Sequence, residues 1–365
     1  MPPVHISRLL SVLLLGSSLL AACGGEDSAT LVREARAKAA AGDTKAAMIQ
    51  LKNAVAADEK NAEARFELGK LYLDQLDLAS AEKEFRRARE AGYAAAQVNP
   101  MIARALLGQR EFQRVLDELP ASTDDTPDGA TLAALRAMAY LGLGNKNEAR
   151  TTLERISPNA ARNPEVQLAS ARLALADGKP DEATQAIDLA IQLEPKNIEA
   201  LLLKADLARV TGKPAEARQG YQAVLKIAPR HSLARLALAD IAIAENQLAD
   251  ARREVDTALK FAPNNLQARY TQALIDFREN KTEAARDHLA VVLKNVPDNI
   301  PALLLGGSIE FSLGHLQTAE TYLTKVVTAL PDNRYALRLL AATQLRLGRA
   351  DDAARTLAPA LKAAP

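Results

Sequence analysis

The chain of 365 residues has one cysteine, no tryptophan and four histidines. A single cysteine rules out an intrachain disulfide and any metal site built from several cysteines. His5, His231, His288 and His315 stand far apart and make no ligand-spaced pair, so no metal is expected. Aromatic residues at 4% leave a base-stacking surface or a sugar-binding cleft poorly supplied. A surplus of one charge is also missing. Lys plus Arg total 46 against 45 for Asp plus Glu, a net +1, whereas a protein built to grip nucleic acid carries a basic excess. What remains is 48% apolar and 25% charged, a composition that buries a core. It leans away from an enzyme.

Long apolar runs are absent except near the start. Leu9 to Leu20 (LLSVLLLGSSLL) is an apolar or small stretch of twelve residues preceded by Arg8. A membrane-spanning helix needs about 20 such residues, so the run fits the apolar core of a secretory signal instead. It ends in Leu20, Ala21, Ala22 and Cys23, followed by Gly24 and Gly25. Small residues before the chain's one cysteine resemble the lipobox of bacterial lipoproteins. That resemblance implies cleavage before Cys23, diacylation of its sulfur and acylation of its new amino group. Two or more acyl chains hold a protein on a bilayer, whereas one does so only marginally. Residues 1–22 are then a signal peptide and 23–27 an acylated tether. Loss of Arg8 would leave 45 basic against 45 acidic residues. In Gram-negative lipoproteins an Asp after the cysteine commonly retains the protein in the inner membrane. Gly24 therefore implies the inner leaflet of the outer membrane, facing the periplasm.

The rest of the chain is periodic. Pro195, Pro229, Pro263, Pro297, Pro331 and Pro365 follow one another at intervals of 34. At the ordinary frequency of proline, five successive hits have odds of roughly 10⁻⁷. Ala47, Ala81, Ala149, Ala183, Ala217, Ala251, Ala285, Ala319 and Ala353 keep the same frame, with Val115 filling the one gap. A period of 34 is that of the tetratricopeptide repeat, two antiparallel helices per repeat. The expected fold is all-α: a TPR solenoid, a right-handed superhelix of about ten repeats. Repeats are placed at 28–61, 62–95, 96–129, 130–163, 164–197, 198–231, 232–265, 266–299, 300–333 and 334–365.

Turn chemistry agrees. Five residues before those alanines stand Gly42, Gly144, Gly178, Gly212, Gly314 and Gly348, with Asn246 and Asn280 in two more repeats. Glycine, then asparagine, best tolerates the left-handed backbone that ends a helix. Leu76 and Arg110 break the pattern, so looser or differently built turns are expected there. Asn61, Asn163, Asn197, Asn265, Asn299 and Asn333 recur where they can cap the next first helix. Small residues from Gly69 and Ala103 to Gly307 and Ala341 mark the helix crossing, and bulkier ones from Leu51 and Phe85 to Leu323 and Leu357 fill the space between repeats. Two stretches are weaker: Gly92 to Pro127, and the Pro-bounded Ser157 to Pro164. They read either as lax loops or as a hinge separating repeats one to three from four to ten.

First helices line the concave side of such an array. One row there carries Arg36, Lys70, Arg104 and Arg172, then switches to Asp206 and Asp240. A neighbouring row is apolar, with Phe66, Leu168, Leu202, Leu236, Tyr270 and Leu304. A third runs from Leu73 and Leu107 through Arg209 to Phe277 and Phe311, and much of it belongs to helix packing. The switch of sign is either a groove that steers a charged partner or ordinary solvated surface. The Lys and Asn positions of a carboxylate clamp are apolar or Arg here. Gly142 and Gly144 make half a phosphate loop, and Gly306-Gly307-Ser308 lacks the strand-to-helix turn of a nucleophile elbow. No catalytic residue, cofactor, metal or small-molecule substrate is expected.

Ala41 to Ala54 (AGDTKAAMIQLKNA), Asn61 to Arg65 (NAEAR), Leu68-Gly69, Ala81 to Ala88 (AEKEFRRA) and Gly92-Tyr93 resemble the opening repeats of TPR lipoproteins of the PEP-CTERM/exosortase system. That resemblance implies a periplasmic scaffold that binds protein partners in exopolysaccharide export or PEP-CTERM protein sorting. Members of that group are longer, and this chain stops at the end of a repeat frame without a solvating helix, which implies a truncated chain. Two other readings stay open: an assembly factor for outer-membrane pores or pili, and the non-catalytic arm of an enzyme continuing past Pro365.

Overall fold

The computed structural model describes residues 27–121 and 126–362, with side chains to residue 358. Leu20, Ala21, Ala22 and Cys23 lie outside the described residues. The described residues form twenty α-helices and no strand. They divide into two compact units, Met1–Glu194 and Pro195–Pro365.

In unit 1, five helix pairs follow one another: α1 (Ser28–Ala40) with α2 (Thr44–Ala57), α3 (Ala62–Asp74) with α4 (Leu78–Glu90), α5 (Ala95–Gly108) with α6 (Phe112–Glu118), α7 (Pro127–Gly142) with α8 (Lys146–Glu154), and α9 (Pro164–Ala176) with α10 (Pro180–Leu193). Unit 2 has five more: α11 (Ile198–Val210) with α12 (Pro214–Ile227), α13 (Ser232–Ala244) with α14 (Leu248–Phe261), α15 (Leu266–Arg278) with α16 (Thr282–Asn295), α17 (Ile300–Leu313) with α18 (Leu316–Ala329), and α19 (Arg334–Arg346) with α20 (Ala350–Lys362). Each first helix packs on its own second helix, and each second helix on the next first helix within its unit. First helices of successive pairs also touch, as α5 does α7 and α13 does α15; second helices do not approach one another comparably. The first-helix side is therefore the shorter arc of each unit.

The turn within a pair is a closed hydrogen-bonded device. At Gly178 (φ 72°) the amide of Lys179 donates to Ala174 O at 2.8 Å and that of Gly178 to Leu175 O at 3.0 Å. These two bonds satisfy carbonyls that a helix end otherwise leaves open. The expectation of a different turn at Leu76 and Arg110 is overturned. Both are left-handed, at φ 60° and 63°, and Asp77 and Glu111 donate to Tyr72 O and Leu106 O, each at 2.9 Å. Helix packing on both sides imposes the turn, and the leucine and arginine bear the strain that glycine avoids.

At the other junction, Asn61, Asn265, Asn299 and Asn333 accept from the backbone N–H three residues on, at 2.8 to 2.9 Å. His231 stands in the same frame position, and its Nδ1 accepts from Ala234 N at 3.3 Å. A neutral imidazole thus does an asparagine's work.

Small and large residues meet as the frame requires. A Cβ on Gly69 would lie 2.6 Å from Phe85 Cε1, and one on Gly307 2.6 Å from Leu323 Cγ and Cδ2. Phe85 is fully buried, tilted against Phe66 at 5.7 Å, and Phe66 stacks on Tyr93 at 4.3 Å. These rings anchor a core that includes Val98, Ile102, Leu106 and Leu119.

The third pair departs from the others. α5 runs through Pro100, which is buried. α6 stops after 7 residues, and the buried Arg136 of α7 donates to Val115 O, Leu116 O and Leu119 O at 3.3, 3.0 and 2.6 Å. The guanidinium supplies the donors that the missing turns would have supplied. The stretch from Ser157 to Pro164 is packed: Ile156, Ala160 and Ala161 lie against Ala130, Ala134, Val166 and Ala169. It is neither a loose loop nor the place where the units divide.

Candidate functional site

The first helices carry most of the residues that a partner could read, and the two units present them differently. In unit 1 the basic row is consumed by ion pairs. Arg36, half exposed, reaches across to α3 and bonds Glu63 and Glu67, each at 2.7 Å. Lys70 bonds the same Glu67 at 2.6 Å and lies 5.5 Å above the Phe66 ring. Burial alone would raise Glu67, but hydrogen bonds from Lys70 and Arg36 outweigh it and hold the carboxyl below its usual range. The hydrogen bond that Arg36 donates to Glu67 in turn raises Arg36. Arg104 of α5 reaches past α7 to Glu165 at the start of α9, at 2.5 Å. Arg172 is half-buried on α9 and is engaged as well. Phe66 is 7% exposed and belongs to the aromatic core rather than to an open face.

Unit 2 holds a charge cluster on its first helices. Tyr221 of α12 donates its hydroxyl to Asp206 Oδ1 at 2.5 Å, and the Tyr221 oxygen and the charges of Asp206 and Asp240 raise the nearby Arg209. Burial, reinforced by that bond to Asp206, pushes the Tyr221 phenol up to about 12. Asp240 of α13 is open to solvent on one side, yet desolvation by surrounding protein raises its carboxyl, opposed only by the charge of Arg209. Tyr270 of α15, half-buried, is raised by desolvation and by Asp240. Asp206 and Asp240 thus act on Arg209, and Tyr270 stands next to Asp240 in this group. The spacing Asp206-x-x-Arg209 on one helix face is the signal that could have placed Arg209 in this group.

The apolar row serves packing. Leu168 and Leu236 are buried, Leu202 and Leu304 are partly buried against neighbouring helices, and Phe277 packs with Ala273, Leu289 and Ile309. A second pattern escaped the sequence reading. Arg150 pairs with Asp177, Arg218 with Glu245, and Arg252 with Glu279, each acid 27 residues after its arginine. These pairs tie a second helix to the end of the following first helix. The buried Asp276 accepts from Arg252 at 2.7 Å and contacts His288 Nδ1 at 2.8 Å. No cluster of His, Cys, Asp and Glu fit to hold a metal, and no helix long and apolar enough to cross a membrane, occurs among the described residues.

Two tetratricopeptide-repeat models match the sequence, one at residues 211–275 and 310–365, the other at 168–232. The fold is a tetratricopeptide-repeat solenoid. Among solved structures, PilF of Pseudomonas aeruginosa aligns over 59% of this chain and 99% of its own, with 18% identity and a TM-score of 0.54. PilW, a type IV pilus biogenesis factor, aligns over 55% of this chain and 94% of its own, at 19% identity and a TM-score of 0.49. The anaphase-promoting complex assembly Cut9–Hcn1 aligns over 90% and 92%, at 11% identity and a TM-score of 0.49. Likeness at these identities is a likeness of fold. No curated protein sequence matches the chain. A TPR solenoid is a scaffold suited to binding other proteins, and such scaffolds are generally non-catalytic.

Proposed function

We propose that this chain is a lipid-anchored scaffold of the cell envelope that binds protein partners on the first-helix face of its solenoid. The observation that carries the reading is the side chains α11 to α19 present on one arc: the Asp206–Arg209–Asp240 cluster, Tyr270 and the exposed Tyr335. Charged and aromatic groups on a rigid frame recognise a partner without reorganising, which lowers the entropic cost of docking.

The anchor is Cys23, and the place is the periplasmic face of the outer membrane, a reading supported by the apolar run and the small residues before the cysteine. The resemblance of residues 41–93 to TPR lipoproteins supports partners in exopolysaccharide export or PEP-CTERM protein sorting. Replacing Cys23→Ser is expected to abolish palmitate labelling; persistent labelling would refute the anchor. Crosslinking in cells, with partners identified from wild type and from Asp206→Lys plus Asp240→Lys, tests the face. Loss of envelope-assembly partners in the variant supports the reading. An identical partner set removes the face from the account, and recovery of pilus or pore components alone replaces polysaccharide export with pilus or pore assembly.

A further inference from the structure

The charged groups on the first helices of unit 2 are not distributed evenly. At α11 and α13 the face carries Asp206 and Asp240 around Arg209. α19 carries Arg334, Arg338 and Arg346 and no acid. Arg346 lies 4.8 Å above the half-buried Phe311 ring and donates to Phe311 O at 3.1 Å. Tyr335 is 56% exposed, and its hydroxyl is held by Ser308 Oγ at 3.1 Å. Arg338 is one turn along α19 from Tyr335 and exposed. It has no ionic or hydrogen-bonding partner among the described residues. Glu310, the one acid of α17, is turned to the other side, where it bonds His315 at 2.7 Å.

Arg36, Lys70 and Arg104, on the first helices of unit 1, are each taken up by an acid. On α19 the charge of Arg338 is not taken up in this way among the described residues. A tyrosine ring fixed by its hydroxyl and a phenylalanine roofed by a guanidinium flank that charge and lose little rotamer freedom on contact.

We propose that the α17–α19 face is the docking site for an acidic segment of a partner protein. In this arrangement its carboxylates meet Arg338 and Arg346, and one of its apolar side chains packs between Phe311 and Tyr335. This deepens the protein-binding reading above and rests on it. A peptide fits better than a nucleic acid, because the chain as a whole has no basic surplus to hold a phosphate backbone.

The test is fluorescence polarisation with the full chain and a short labelled peptide of Asp, Glu and Ser carrying two Phe. Comparison probes are its Asn/Gln counterpart, a Lys counterpart and a single-stranded oligonucleotide of equal charge. The acidic peptide is expected to bind at least about tenfold more tightly than either peptide counterpart, and to lose that advantage in Arg338→Glu. Arg338→Gln, which only neutralises, should give an intermediate loss with an unchanged circular dichroism spectrum. Tyr335→Ala should weaken the Phe-bearing peptide more than a version with Ala in place of Phe. Equal binding of acidic and amide peptides overturns the proposal, as does indifference to Arg338→Glu or tighter binding of the oligonucleotide. If cell crosslinks depend on Asp206 and Asp240 while the acidic peptide fails to bind, this inference falls and the scaffold reading stands. A bound peptide with no partner crosslinked in cells gives the reverse.

Discussion

The crossing of α3 and α4 yields the sharpest test of how the pairs are built. Gly69 occupies the crossing position that is alanine in most other repeats, and the Phe85 ring fills the space a Cβ would take. In Gly69→Ala the new methyl would sit 2.6 Å from Phe85 Cε1 and 2.7 Å from Cδ1. Phe85 cannot retreat freely, because Phe66 lies against it at 5.7 Å and Tyr93 backs Phe66 at 4.3 Å. Overpacking of this kind costs about 1–3 kcal/mol. Alanine inside a helix returns about 1 kcal/mol relative to glycine. The net is a loss of up to about 2 kcal/mol in the native background. With Phe85→Leu the obstruction goes, and the same Gly69→Ala change should stabilise by about 1 kcal/mol. The coupling in the double-mutant cycle is therefore about 1–3 kcal/mol. Repeat arrays open by segments, so amide exchange in α3 and α4 is the measurement, not a single melting midpoint. If Gly69→Ala stabilises equally in both backgrounds, the close crossing of α3 and α4 is wrong.

Three other outcomes follow from the same chemistry. Leu76→Gly relieves a left-handed leucine that is 78% exposed and loses no packing; slower exchange of the α3–α4 turn, a gain of about 0.5–1 kcal/mol, is expected, while Gly178→Ala should cost a similar amount. Arg136→Met removes donors from three carbonyls at the end of α6; a loss of about 2–3 kcal/mol, seen as faster exchange in α6 and α7, is expected, and full protection of both helices in the variant would refute the capping role. His231 caps α13 in its neutral form, and desolvation lowers its affinity for a proton below that of the unfolded chain. Its contribution is thus complete above about pH 6.5 and is lost as pH falls through the lower, folded value. Acidification to about pH 5 should speed amide exchange at the start of α13 in the native chain and not in His231→Asn, and an equal response in both would rule the cap out.

How much of this was legible follows from what the sequence repeats. Helix, turn and cap positions recur because each is a local demand: a left-handed residue at Gly178, an acceptor at Asn265, a small residue at Ala239. Local demands leave the same mark in every copy, so the period of 34, the pairing of helices and the TPR fold could be read without coordinates. Leu76 and Arg110 lay beyond that reading, since their left-handed backbone comes from packing on both sides and not from the residue itself. The premature end of α6 was hidden too, because its remedy is an arginine from the next pair.

The candidate face divides in the same way. Its residues stood in rows that the frame alone predicts, including Asp206, Asp240 and Tyr270. Which charges are free was decided only in three dimensions. An arginine's availability depends on whether an acid from a neighbouring helix lies within reach, and such acids come at offsets from 19 to 61 residues. Arg36 and Arg104 share one position of the frame, and Arg338 holds the position of Phe66 and Tyr270. Glu67 and Glu165 take up the first two, and the third faces α17, where the one acid is turned toward His315.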